Sequence, residues 1–184
     1  IMVQLPETTD EDSEAYKAGY KNICEIGKER IRRAGKKILE ENKLTEKDLD
    51  IGFRVLKLDS TNMKDVYYVP AQYNRSLMQE LETNIKDDRS AEDLLFQVLL
   101  DLGIELSCTV ETTAIQNKTL YNVNANFLIA CFDTDLSEEI ITEAAKQKPQ
   151  YAVFRDSSLS SDTMAVNFEQ IFKTYSPETV TKVL

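Results

Sequence analysis

From Ser90 to Leu184 the sequence alternates capped helical patterns with short apolar, β-rich runs, and that order leaves few architectures open. Ser90 opens the first helical pattern, with Asp93 three residues on in the place of a capping-box acid and Gly103 just past the end. Leu95, Val98, Leu99 and Leu102 fall on one side of that helix. Two β-rich stretches follow, expected at 105–115 and 119–123 and joined through Gln116-Asn117-Lys118 as a hairpin turn. Residues 127–132 form a fully apolar strand pattern. A helix started by Ser137 and reaching Gln147, a strand at 151–154, a helix at 162–174 and an alternating edge-strand pattern at 178–184 complete the series. The expected fold is α/β with a mixed sheet, an antiparallel hairpin feeding βαβ crossovers.

The first third of the chain is organised differently. Residues 1–5 have the pattern of a buried strand ended by Pro6, and residues 7–14 form an acidic loop. A long helix is expected over roughly 12–41. Tyr20, Cys24, Gly27, Ile31, Ala34 and Ile38 lie on one stripe of it, and Gly19 is a candidate break. Residues 44–50 are a polar linker. An alternating strand pattern runs from Gly52 to Asp59, followed by a turn at 60–64, a short extended piece at 66–69 ended by Pro70, and a polar, partly helical surface segment at 73–88.

Composition removes several chemistries. The 184 residues contain no histidine, so Ser-His-Asp, Cys-His and His-metal sites are impossible within them. Cys24, Cys108 and Cys131 are far apart and form no Cys-x-x-Cys pair, which excludes ordinary structural zinc sites and fits a reducing compartment. No apolar run approaches the ~20 residues needed to span a bilayer, and the N-terminus has no signal-like core, so no membrane contact and a cytoplasmic location are expected.

Net charge is −10, against a surface broadly coated for nucleic acid, but its distribution is uneven. Between Lys17 and Lys43 there are nine basic residues and four glutamates; residues 44–184 carry 13 basic and 23 acidic side chains. Lys28, Arg30, Arg32, Arg33, Lys36 and Lys37 form a basic run suited to DNA phosphates or to an acidic partner surface, and equally to a solvated face laced with ion pairs. No aromatics are interleaved, so base stacking is not indicated. A second candidate is the acid set Asp133, Asp135 and Asp156, at the ends of expected strands, where a magnesium ion for phosphate chemistry could sit; the plainer reading is that Asp133 and Asp135 start a helix. Nothing resembles a phosphate-cradling glycine loop or a nucleophile elbow.

Three blocks near the start, Ile1-Met2-Val3-Gln4-Leu5-Pro6-Glu7, Tyr16-Lys17-Ala18-Gly19-Tyr20-Lys21-Asn22-Ile23 and Gly27-Lys28-Glu29-Arg30-Ile31-Arg32-Arg33-Ala34, closely resemble the modification subunit of type III restriction-modification systems. Gly52 to Ser60 resembles the family's next block. The Leu102-Gly103 helix end, the strand into Asp133, and Phe154-Arg155-Asp156 through Asn167 are similar to its C-terminal domain.

The resemblance implies a β-class adenine-N6 DNA methyltransferase that uses S-adenosylmethionine and rotates the target base out of the duplex. Its Asp-Pro-Pro-Tyr motif and its glycine-rich cofactor motif are not in these 184 residues. Residues 1–43 then correspond to the terminal strand and basic helix of a Rossmann-like methyltransferase domain, 44–50 to a linker, and 51–184 to a C-terminal α/β domain. By position Gln4 stands where relatives carry the acid that bonds the cofactor ribose, and Glu7 is the other candidate. Expected partners are DNA, a second modification subunit and the helicase-nuclease restriction subunit. The chain itself is expected to be scaffold and not catalytic, with no bound cofactor. A stand-alone protein-interaction adaptor is the alternative.

Overall fold

The computed structural model describes residues 2–41, 49–64, 84–159 and 162–184. The expected extended piece at 66–69 and most of the linker and of the 73–88 segment lie outside them. The chain divides into two compact units, Ile1–Lys57 and Leu58–Leu184. Residues 51–57, expected with the C-terminal domain, therefore belong with the first unit.

The first unit is built on helices α1 (Glu14–Lys17) and α2 (Ile23–Glu41). The single long helix expected here is broken. Gly19 lies at φ +95°, a left-handed conformation that favours glycine, and Ser13 caps α1 by accepting from Tyr16 N. Asn22 restarts the helix, its Oδ1 accepting from Glu25 N at 3.0 Å. Residues 2–7 run without a strand partner among the described residues, correcting the strand expected at 1–5; Val3 is 94% exposed. What fixes this segment is α2: Ile23 N donates to Glu7 O, Thr9 N to Lys21 O, and the Cys24 thiol lies 3.6 Å from the Gln4 and Leu5 carbonyls. The strand expected at 52–59 is not formed either. Alternation alone makes no strand without a neighbouring ladder to bond. The segment packs on the helix instead: a Cβ at Gly35 would come within 3.1 Å of Ile51 Cβ, and the Arg32 guanidinium lies 5.7 Å from the Phe53 ring centroid.

The second unit carries the α/β fold. Its described elements are α3 (Ala91–Asp101), β1 (Val110–Ile115), β2 (Lys118–Val123), β3 (Leu128–Cys131), α4 (Glu138–Lys146), β4 (Tyr151–Phe154), α5 (Asp162–Tyr175) and β5 (Val180–Val183). The sheet order is β1-β2-β3-β4-β5. β1–β2 and β2–β3 pair antiparallel; β3–β4 and β4–β5 pair parallel. The expected hairpin closes through two residues, Gln116 at φ 50° and Asn117 at φ 63°, with Lys118 already paired to Ile115. Two positive φ values give the turn whose twist matches the strands, and asparagine tolerates that conformation best after glycine.

The alternation within each strand divides the core between two faces. Leu120, Ile129, Cys131, Ala152 and Phe154 meet Ile140, Ile141 and Ala144 of α4 and Phe168 and Phe172 of α5. Tyr121, Val123, Leu128, Ala130, Phe132 and Val153 meet Leu94, Leu95, Val98 and Leu99 of α3. Both crossover helices thus cover one face, as a sheet that keeps extending in one direction requires. α3 begins with the expected capping box: Ser90 N donates to Asp93 Oδ2 at 2.8 Å and Asp93 N to Ser90 Oγ at 3.3 Å. Gly103, at φ +66°, follows its last turn.

Candidate functional site

The basic run occupies α2. Lys28, Arg32 and Lys36 follow one another at four-residue spacing, and Arg30, Arg33 and Lys37 at three and four, so two rows of cations run along the helix. They flank the stripe of Cys24, Ile31, Ala34 and Ile38. Half of these cations are matched within the helix: Lys28 to Glu25 at 2.5 Å, Arg33 to Glu29 at 2.8 Å and Lys37 to Glu41 at 3.8 Å. The hydrogen bond from Arg33, ahead of its charge, holds the Glu29 carboxyl below the usual carboxylate range. Arg32 lies over Phe53, while Arg30 and Lys36 have no ion pair among the described residues. Exposed intrahelical pairs are worth at most about 1 kcal/mol, so Lys28, Arg33 and Lys37 can exchange their glutamate partners for an incoming anion.

Gln4 and Glu7 lie apart from this run. Both are exposed; Gln4 donates only to the neighbouring Leu5 carbonyl, and Glu7 is anchored through its backbone. Neither residue lines the cavities described below.

The strand-end acids occupy the second unit. Asp133 Oδ2 accepts from Thr119 N at 2.6 Å, which ties the end of β3 to the start of β2. Ser158 is fully buried, and its Oγ donates to Asp133 O at 2.5 Å, binding that loop to the turn after β4. Asp135 (φ 52°) and Asp156 are exposed. Among the described residues no group of three or more His, Cys, Asp or Glu is placed to hold a metal ion, so the three acids do not converge. Beside them Cys131 is sealed in the core, where burial pushes its thiol up to about 11. Such a thiol is a small hydrophobe and not a nucleophile.

At this carboxyl end of the parallel strands is a cavity of about 380 Å³. Phe132, Asp133 and Arg155 enter it from the strand ends, Ala91 and Leu94 from α3, and Ile85, Lys86, Asp87 and Arg89 from the segment before that helix. A broader groove of about 790 Å³ lies at the opposite end, around Asn124 to Phe127, Gln147 to Gln150 and Tyr175 to Glu178. In that groove Asn124, Ala125 and Asn126 all have φ between 50° and 70°. The sequence singled out Arg155 only as part of Phe154-Arg155-Asp156; Lys86 and Arg89 carried no signal, because only the sheet and α3 bring them to Arg155.

No family model matches this chain, and no curated protein matches it. No helix among the described residues is long and apolar enough to cross a membrane.

Proposed function

We propose that this chain is the C-terminal region of a type III modification subunit, a site-specific, S-adenosylmethionine-dependent adenine-N6 DNA methyltransferase of the cytoplasm. Its own role is scaffolding and assembly. Supporting this reading is the first unit, whose residues resemble the family's blocks and whose described apolar side chains are largely exposed. Met2, Val3 and Leu5 are 70%, 94% and 72% exposed on an extended segment with no strand beside it. A segment of this kind is what a sheet of the cofactor-binding domain would complete, with α2 laid along it.

In the whole subunit, S-adenosylmethionine would supply the methyl group, held mainly by the glycine-rich motif upstream; Gln4 or Glu7 would face its ribose. Lys28, Arg30, Arg32, Arg33, Lys36 and Lys37 would meet DNA phosphates or an acidic surface of the sister or restriction subunit. Magnesium-dependent phosphate chemistry at Asp133 is the weaker reading, because its Oδ2 already serves Thr119 and the other acids stand apart.

The coding sequence ahead of Ile1 tests the proposal. It should encode an Asp-Pro-Pro-Tyr motif and a glycine-rich loop; an open reading frame without them refutes it. In the whole subunit, Arg30→Glu with Lys36→Glu should weaken DNA binding and lower the salt slope by about 0.9 for each phosphate the helix no longer neutralises. An unchanged slope returns the helix to a solvated face.

A further inference from the structure

The groove at the amino end of the parallel strands is built from two helix ends and one strained turn. Helices α4 and α5 finish there, and each is followed by a proline, Pro149 and Pro177, which has no N–H to return to the last turn. Among the described residues the backbone carbonyls of Gln147 and Tyr175 accept no hydrogen bond, so both helices leave an open acceptor at their negative ends. The rest of the rim is the turn of Asn124, Ala125 and Asn126. Its left-handed backbone, costly for alanine, is held by Phe127 N donating to Asn124 O and Gln150 N to Asn126 O, each at 3.2 Å. Asn122 sets the polarity of the amides here. Its Oδ1 accepts from Asn126 N at 2.9 Å, which fixes its own orientation and leaves Nδ2 to donate to Asn126 Oδ1 and, at 3.3 Å, to Gln147 Oε1. Both carboxamides thus spend their oxygens on Asn122, and their NH2 groups have no partner among the described residues.

We propose that this groove binds a neutral saccharide. Three features select that class. A sugar hydroxyl is donor and acceptor at once, so it satisfies the free NH2 groups of Asn126 and Gln147 and the open helix-end carbonyls together. No net charge in the lining selects an ion: Lys148 and Glu178 offset each other, and the neighbouring Lys146 and Lys173 are each paired with a glutamate of their own helix. An ammonium would face the oriented NH2 donors, and a carboxylate or phosphate would face the negative helix ends. Finally, the ring of Tyr175 is 43% exposed and gives the C–H face of a pyranose an apolar surface to lie on. The volume, about 790 Å³, falls within the range of small-molecule sites. The inference concerns the second unit alone and does not rest on the methyltransferase reading.

The probes are the methyl glycosides of glucose, galactose, mannose and N-acetylglucosamine, with glucuronate as a charged sugar and adenosine as a neutral ligand of another class. Titrated into the 184-residue chain, at least one glycoside should saturate with a Kd below about 10 mM and shift the side-chain NH2 NMR signals of Asn126 and Gln147. Glucuronate and adenosine should bind more weakly. Tyr175→Ala, at an exposed ring, should weaken the best glycoside by about threefold to tenfold. Asn122→Asp keeps the acceptor for Asn126 N but removes the donor, so Asn126 and Gln147 turn their NH2 groups onto the new carboxylate. Their signals should move without any sugar present, and affinity should fall by about tenfold. If that variant does not fold, Tyr175→Ala decides the case. The proposal is overturned if none of the four glycosides saturates, if glucuronate or adenosine binds more tightly than the best of them, or if either folded variant binds that glycoside as well as the wild type.

Discussion

The two units of this chain solve the burial problem in opposite ways. In the second, β2, β3 and β4 are covered on both faces, and Leu99, Val123, Leu128, Ile129 and Phe154 are fully buried. In the first, a 19-residue helix buries none of its side chains, and no described residue from 2 to 57 is buried. Both have amphipathic patterning. What differs is whether the apolar stripe meets a second layer, and a helix draws most of its stability from that packing and little from propensity. The second unit buries an apolar core between its sheet and helices, while the first leaves Met2, Val3 and Leu5 exposed.

The contrast is most exposed at Phe154, which packs edge-on against Phe168 and Phe172 at centroid distances of 5.2 and 6.2 Å. Phe154→Ala should destabilise the second unit by about 3–5 kcal/mol in chemical denaturation. A loss under about 1 kcal/mol would mean that this face is loosely packed and that the two units differ less than their burial suggests.

A smaller effect is expected at the start of α3. Ser90→Ala removes the bond from Asp93 N to the hydroxyl and the hydroxyl's own bond to the Asp93 carboxylate, and should cost about 1 kcal/mol. The pH dependence follows from Asp93, whose carboxyl is held below its ordinary value first by the Ser90 backbone N–H and then by the Ser90 hydroxyl. A carboxyl depressed in the folded state stabilises above its unfolded pKa and loses that contribution as pH falls through the folded pKa. The advantage of wild type over Asp93→Asn should therefore be full at neutral pH, begin to decline at about pH 4 and be lost only as pH falls through the lower folded pKa. An advantage that persisted in acid would show that the capping box is not its source.

How much of this was legible depended on how local the cause was. The Ser90–Asp93 cap, the all-apolar β3 and the 151–154 strand each declare themselves within a few residues, and the mixed sheet followed from their order. The segments at 1–5 and 52–59 show why pattern alone fails. Val3 and Leu5, or Phe53 and Val55, alternate as strand residues do, but a strand is a pairing, and no described neighbour supplies the other half. The hairpin turn is one residue shorter than the sequence suggests, because Gln116 and Asn117 take positive φ without a glycine to announce it. At the strand ends the acids were visible in the sequence and the arginines were not. Arg89 and Arg155 come to line one cavity through the stacking of α3 on the sheet, an arrangement with no local signature.

The smallest effect separates the units most sharply. Val3→Ser replaces a side chain that is 94% exposed, so in the 184-residue chain it should change stability by no more than about 0.5 kcal/mol. If the segment joins a sheet in a longer protein, the same substitution there should cost about 1.5–3 kcal/mol, the worth of burying a valine. Measuring both separates two causes of exposure. Equal, small effects would mean that residues 2–5 are a surface strand-former with nothing to pair, and would remove the main physical support for an upstream cofactor sheet. A large effect only in the longer protein would show that the missing layer is real and that Val3 lies within it.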